Sequence, residues 1–387
     1  MTTQIIGIKH SKKGAISSTK LSFFIAGFAY AAWAPLVPYA KDRLSADTGT
    51  LGIMMLFLGL GAMIGMPSAG IFANRIGCKK VIIGGALGLI ILFPFLTIIS
   101  HIYIFTIALF FFGLSLGAID IAANVHAAKV QTEANQPLMP VFHGFYSVGG
   151  LIGVALLTVL LGLFQVDVVV AATIASLCIG TSLYLSLPSY LDTKEADSES
   201  QFFIWPKGVV IILGLLCLII FLAEGALLDW GALLLIEEKD IDVKIAGVAY
   251  VVFAFSLTIA RFTGTEAVLK FGENTVLFLG FIFTAIGLTC TAMSTSLHFV
   301  LASIFITGLA AGNVIPILFS LAGKQRIMPV SHAISAVGSL GYLGLLLGPA
   351  IIGYIAHGVG LNTTFYVIAG LTFLSVLLVF LISRIEK

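Results

Sequence analysis

The chain has 387 residues, 59% of them hydrophobic and only 10% charged, with a mean hydropathy of +1.12. Soluble proteins carry about 25% charged residues, so this composition excludes a soluble domain and points to a chain embedded in a bilayer. The net charge of +2 gathers into no basic stripe, which excludes a nucleic-acid partner.

A spanning helix needs about 20 mostly apolar residues. The N-terminal arm is polar and basic (Lys9, Lys12, Lys13, Lys20) and leads into a long apolar run with no small-residue cleavage site. It reads as a retained first helix and not as a signal peptide. The runs then predict twelve spans, at Leu21–Ala40, Gly49–Ala73, Lys80–Ile99, Tyr103–Ala128, Met139–Leu163 and Val168–Leu187, and after a polar stretch at Gly208–Trp230, Lys244–Thr263, Thr275–Met293, His298–Ala322, Ser331–Ala356 and Thr363–Ser383. The stretch 188–207 holds Asp192, Glu195, Asp197 and Glu199 and reads as a solvated tether between a bundle at 1–187 and a bundle at 208–387. Lys and Arg collect on the cytoplasmic side of a membrane protein. With the N-terminus inside, 16 of the 20 basic residues fall inside, counting Arg261, and only Lys41, Arg43, Lys239 and Lys244 fall outside. Both termini and the tether are therefore expected in the cytoplasm, in a multi-pass inner-membrane protein expected to be monomeric. Four cysteines (Cys78, Cys178, Cys217, Cys290) have neither metal-ligand spacing nor a disulfide framework.

The two halves repeat. Trp33 is echoed by Trp230, Gly52 by Gly247, Gly77 by Gly272, and the pair Gly113 and Gly117 by Gly308 and Gly312. A His-x₄-Val-Gly string at His143 recurs at His332. Ordered repeats predict two halves on one plan, which in a membrane chain is how many solute transporters are built. The expected fold is an all-α membrane protein of twelve transmembrane helices in two pseudo-symmetric six-helix bundles.

Between the second and third spans stands Gly70-Ile-Phe-Ala-Asn74-Arg75-Ile-Gly77-Cys78-Lys79-Lys80. Gly70 permits close helix approach, Gly77 permits a sharp turn, and a polar side chain at 74 can face a helix N-terminus. This loop resembles the signature of the major facilitator superfamily, Gly-x-x-x-Asp-Arg-x-Gly-Arg-Arg/Lys, in which it latches the two halves. Asn74 stands where that family usually has Asp, so a weaker latch of Gly70, Asn74, Arg75 and Gly77 is expected. The second-half counterpart around Gly264, Lys270 and Gly272 is degenerate.

Ionisable groups inside spans are costly and mark functional candidates. Asp120 is the foremost. Gly113, Gly117, Asp120 and Asn124 are spaced 4, 3 and 4, which sets them on one stripe of the fourth helix. Asp120 is expected about six residues, roughly 9–10 Å, from the cytoplasmic end of that helix. Burial disfavours a charged carboxylate, which suits Asp120 to carrying a proton. His143 is expected at similar depth in the fifth helix, as a solute contact, a relay or a packed histidine like His332. Glu224, in the seventh helix, reads as a solute contact or half of a closure pair, with Asp229 at the water interface. His126 and Arg261 read as interfacial residues whose polar ends reach water. Trp33 and Trp230 are candidates for lining a cavity or anchoring at the interface.

Gly117-Ala-Ile-Asp120-Ile-Ala-Ala-Asn124, followed by Leu138-Met-Pro-Val-Phe-His143-Gly-Phe-Tyr-Ser-Val-Gly149-Gly, looks like the fucose-permease-like group and its YbjJ/MosC-like branch. That resemblance implies proton coupling at Asp120 and solute contact at His143 and Asn124. The fucose symporter's other acid, in helix one, falls here on Ala34. The resulting expectation is a secondary transporter taking protons and a small, polar, sugar-like solute across the inner membrane, with a proton-driven exporter or a non-transporting solute receptor as alternatives. No nucleotide loop, metal-spaced cluster or Ser/His/Asp arrangement stands out, so neither an enzyme nor a cofactor is expected.

Overall fold

The computed structural model describes residues 2–46, 48–191, 193, 205–242 and 246–385. Among these, every regular element is a helix. Helix α1 (Thr2–Ala32) continues through a short 3₁₀ turn at Ala34–Leu36 into α2 (Val37–Arg43). Then follow α3 (Thr48–Ile76), α4 (Cys78–Ile98), α5 (Ile102–Ala134), α6 (Met139–Thr158) and α7 (Val168–Ser186). The second half supplies α8 (Val209–Lys239), α9 (Val248–Phe271), α10 (Glu273–Met293), α11 (Leu297–Ala311), α12 (Val314–Lys324) and α13 (Val330–Ile385).

Eleven helices among the described residues are long and apolar enough to cross a membrane, against the twelve expected. The difference lies in α13, which carries the last two apolar runs as one element of 56 residues with a non-helical residue at Gly360 (φ 81°, ψ 161°). Unbroken, 56 residues would extend about 84 Å, against a hydrocarbon core of about 30 Å.

The helices form two compact units. Unit 1 comprises Met1–Gln136, Phe145–Trp205 and Pro329–Ser335; unit 2 comprises Pro137–Gly144, Pro206–Met328 and Ala336–Lys387. Each unit thus takes in the first turns of one helix whose remainder belongs to the other.

In unit 1 the closest seam is α3 on α5, and glycines make it. A Cβ on Gly113 or Gly117 would meet the Leu58 or Ala62 backbone, and one on Gly61 or Gly65 would meet Phe110 or Leu114. Gly27, Gly149 and Gly153 make a second such seam between α1 and α6. With little hydrophobic driving force between helices in lipid, packing of this kind holds them together. Unit 2 repeats the scheme: Gly308 and Gly312 of the α11–α12 stretch face α9, and Gly341 and Gly344 face α8.

The loop before α4 turns on Gly77 (φ 88°, ψ 149°), and Gly272 (φ 79°, ψ 154°) does the same before α10. Only glycine adopts this region without strain, which accounts for the repeat of these two residues. The second-half loop, degenerate in sequence, is structurally intact: Glu273 accepts from Lys324 Nζ at 2.6 Å and from Ser320 Oγ at 2.5 Å.

Two basic residues that break the charge asymmetry are caps. Arg43 donates to Ile99 O (2.9 Å), Thr97 O (2.6 Å) and Leu96 O (2.5 Å) at the end of α4. Lys239 donates to Ala292 O (2.6 Å) at the end of α10 and to Asn362 Oδ1 (2.8 Å). A cation at a helix C-terminus meets orphan carbonyls and the negative end of the dipole. The spacing from Arg43 to Lys239 equals that from Leu96 to Ala292, so the cap itself is repeated.

Candidate functional site

In unit 1, α5 continues to Ala134, six residues past the predicted end. Asp120 therefore stands fourteen positions from that end, near the middle of the helix. Its side chain is half-buried. Asn124, one turn on and fully buried, donates Nδ2 to the Asp120 backbone oxygen (2.9 Å) and lies 3.4 Å from Oδ1. The structure thus couples these two predicted residues. His143 is four positions into α6 and His332 two into α13.

Trp33 is buried in unit 1. It is 6% exposed, with its ring centroid 6.1 Å from Phe105 and 6.0 Å from Phe112. Trp230 is half-buried against Gly353 in unit 2.

In the loop segment, Asn74 is buried and Arg75 exposed. Gly70 receives Ser331 and Ser335 from the start of α13, and Ser335 Oγ donates to Met66 O at 3.1 Å, all inside unit 1. Unit 2 contains the matching contact: Gly264 receives Pro140 from the start of α6, and Thr265 Oγ1 donates to Pro137 O at 2.8 Å.

His126 corrects the interfacial reading, because it is fully buried. Nε2 accepts the Leu191 N–H at 3.0 Å, so that nitrogen carries no proton; Nδ1 lies 2.9 Å from Thr19 Oγ1. The ring meets Tyr190 edge-on at 5.1 Å. Tyr190 Oη joins Ser22 Oγ (2.7 Å) and Ser186 Oγ (2.9 Å), and Thr193 Oγ1 accepts the Cys78 N–H (2.7 Å) at the start of α4. The first residues of the expected tether are therefore docked on unit 1, because they satisfy polar groups at helix ends. Asp192, Glu195, Asp197 and Glu199 lie outside the described residues.

Unit 2 holds the other buried charges. Glu224 is the sixteenth residue of the 31-residue α8 and is 6% exposed. Asp229 follows within the same helix, which runs on to Lys239, so it does not mark the helix end. Arg261 stands ten positions before the end of α9 and is 8% exposed. Its burial departs from the interfacial reading, in which the polar end reaches water. Its position follows from Pro316. A proline has no N–H for the carbonyl four residues earlier and crowds it, which frees Gly312 O and separates α11 from α12. Arg261 Nε donates to that oxygen at 3.4 Å, while Asn313 Nδ2 donates to Ala260 O at 2.7 Å. Arg261 lies within electrostatic reach of both Glu224 and His143. His143, 7% exposed, sets its ring 5.8 Å from Phe319. Glu224 Oε1 and Asn313 Oδ1 are buried acceptors without a hydrogen-bond partner. In unit 2 the structure therefore places Arg261, read from the sequence as interfacial, within electrostatic reach of two predicted residues, Glu224 and His143, and adds Asn313, which the sequence reading passed over. The available signal was the proline inside the tenth apolar run.

Membrane-length helices on glycine seams, with ionisable side chains held in mid-span, define a polytopic membrane transporter. The chain belongs to the Major Facilitator Superfamily, whose sequence model matches residues 21–262 and 213–387. Membership makes it a transporter and not an enzyme. It is 36% identical over 354 residues to an uncharacterised MFS-type transporter of Yersinia pestis, covering 91% of each chain. It is 28% identical over 356 residues to the membrane protein MosC of Rhizobium meliloti, covering 91% of this chain and 86% of that one. Among solved structures it superimposes on the Escherichia coli fucose:proton symporter FucP with a TM-score of 0.79 at 17% identity, covering 96% of this chain and 98% of that one. At that identity the likeness is one of fold.

Proposed function

We propose that the protein is a proton-coupled symporter that moves a small polar, sugar-like solute across the inner membrane by alternating access. In this reading the chain has twelve spans in bundles at 1–187 and 208–387, with both termini cytoplasmic, and acts as a monomer. Asp120 carries the proton, Asn124 holds it in place, and His143 and Glu224 contact the solute. The segment Gly70–Gly77 latches one conformational state. The observation that carries the reading is the mid-helix Asp120–Asn124 pair, an ionisable group in the middle of a span. The fold likeness to the Escherichia coli fucose:proton symporter supports it.

Solute would first be sought by thermal shift in detergent, since a ligand of the folded state stabilises it by mass action. Counterflow of the hit in proteoliposomes then tests transport, and an imposed gradient tests coupling. Accumulation on the side to which protons flow is expected. A solute that binds without counterflow would make the protein a receptor, and accumulation against proton flow would make it an exporter.

A further inference from the structure

Unit 1 carries a groove between α4 and α7 with a volume of about 490 Å³. It follows from Pro94. A proline has no N–H for the carbonyl four residues back, which leaves Ile90 O to a side chain, and Ser176 Oγ of α7 donates to it at 2.9 Å. Opposite stands Gly180, where a Cβ would meet Ile90 Cδ1 at 3.7 Å, an ordinary contact with space beyond it. The α7 wall is the stripe from Thr173 to Tyr184, in which Leu177 is 65% and Tyr184 73% exposed. Thr173 and Ser176 spend their hydroxyl protons on Val169 O and Ile90 O, so the groove offers mainly carbon. The stripe runs for about 16 Å along α7. That is close to half of a hydrocarbon core of about 30 Å, the depth of one leaflet.

The α4 wall leads down to two cations. At about 100° per residue, Ile83, Leu87, Ile90 and Pro94 fall within an arc of about 60°, and Lys79 and Lys80 stand on either side of it. Both lysines are exposed, and neither ammonium makes a hydrogen bond or an ion pair among the described residues. Their flexible stems let the charges reach the headgroup layer. Tyr184 closes the groove at the same end of unit 1, and a tyrosine ring suits the boundary between hydrocarbon and water. We propose that the groove is a binding site for an anionic phospholipid, with one acyl chain along α7 and the phosphate between Lys79 and Lys80. A zwitterionic lipid fills the groove as well, but its amine offsets the phosphate, so the lysine pair selects a headgroup of net negative charge. A helix of a second chain, about 10 Å across, needs more room over this length than the groove holds. The assignment is independent of the solute and of proton coupling.

The test titrates the full chain in detergent with dioleoyl phosphatidylglycerol or dioleoyl phosphatidylcholine and counts retained lipids by native mass spectrometry. One phosphatidylglycerol should be retained at about tenfold lower concentration than phosphatidylcholine. Lys79→Gln combined with Lys80→Gln should bring the two lipids level, and since both side chains are exposed this variant should keep the wild-type Tm. Gly180→Leu should fill the groove and weaken phosphatidylglycerol retention by about tenfold; the lysine variant carries the test if this one does not fold. Glycerol phosphate, which has the charge and no chain, should not displace the lipid at equal concentration. Equal retention of the two lipids by the wild type would overturn the proposal. So would a phosphatidylglycerol preference that survives loss of both lysines, undiminished retention by a folded Gly180→Leu variant, or displacement by glycerol phosphate, which would mark a site for free phosphate esters.

Discussion

Arg43 offers a direct measure of what the repeated caps contribute. Its guanidinium makes three hydrogen bonds to the last carbonyls of α4, at 2.5, 2.6 and 2.9 Å. A hydrogen bond to a charged group contributes about 1.5–3 kcal/mol, and a cation at a helix C-terminus about 0.3–1 kcal/mol more. Arg43 is half-buried, so water recovers part of the lost bonding when the side chain is shortened. The net cost of Arg43→Met should then be about 3 kcal/mol, which corresponds to a fall in Tm of about 5–10 °C. Arg43→Lys keeps the charge but not the three-way fork, so it should recover roughly half, copying what Lys239 does in unit 2. The assay is thermal unfolding of purified protein in one detergent, with transport or ligand binding as a check on folding. A Tm for Arg43→Met within about 1 °C of wild type would refute the cap argument and leave Arg43 as a surface charge.

Asp120→Asn should abolish proton-driven accumulation while sparing solute exchange in proteoliposomes; full accumulation by the mutant would remove Asp120 from coupling. His143→Gln should weaken solute binding by about tenfold, because His143 belongs to the Arg261 cluster, whereas His332→Gln in unit 1 should alter stability only; equal effects of the two on affinity would reduce His143 to a packing residue. Burial raises the Tyr190 phenol above its usual value near 10, with its hydrogen bonds with Ser186 and Ser22 working the other way and the neighbouring Cys78 adding to the rise. Its neutral form therefore adds stability that is complete below pH 10 and lost as pH climbs through the higher folded value. The Tm gap between wild type and Tyr190→Phe should be open at pH 8 and shrink above pH 10; a gap that holds constant to pH 11 would take the hydroxyl out of the network.

The apolar runs located the spans because a bilayer imposes both their length and their composition. They misplaced helix ends wherever a helix continues past the hydrocarbon on polar residues. Thus α5 runs on to Ala134 and α9 to Phe271, and those extra turns moved Asp120 and Arg261 from the edge of their helices toward the middle. The Gly77 and Gly272 turns were legible because positive φ restricts the residue type. His126 was misread since no local pattern announces that a chain segment 65 residues later, at Leu191, supplies its partner. The neighbours of Trp33 were hidden for the same reason, Phe105 and Phe112 lying on α5. Pro316 was readable all along: a proline four residues after Gly312 implies a freed carbonyl, and a freed carbonyl in a membrane implies a nearby donor.

The docking of Tyr190, Leu191 and Thr193 on unit 1 also sets a leash length. If the connection between the halves were free from Leu187 to Gly208, 21 residue steps at about 3.6 Å each could reach about 76 Å. With Thr193 fastened to the first turn of α4, only 15 steps remain to Gly208, a reach of about 54 Å. The fastening point is next to Gly77, so any pull along the connection arrives at the turn between α3 and α4 and not at the end of α7. Lengthening the chain just after Thr193 would slacken the leash, whereas the same insertion at Pro188 would unseat it.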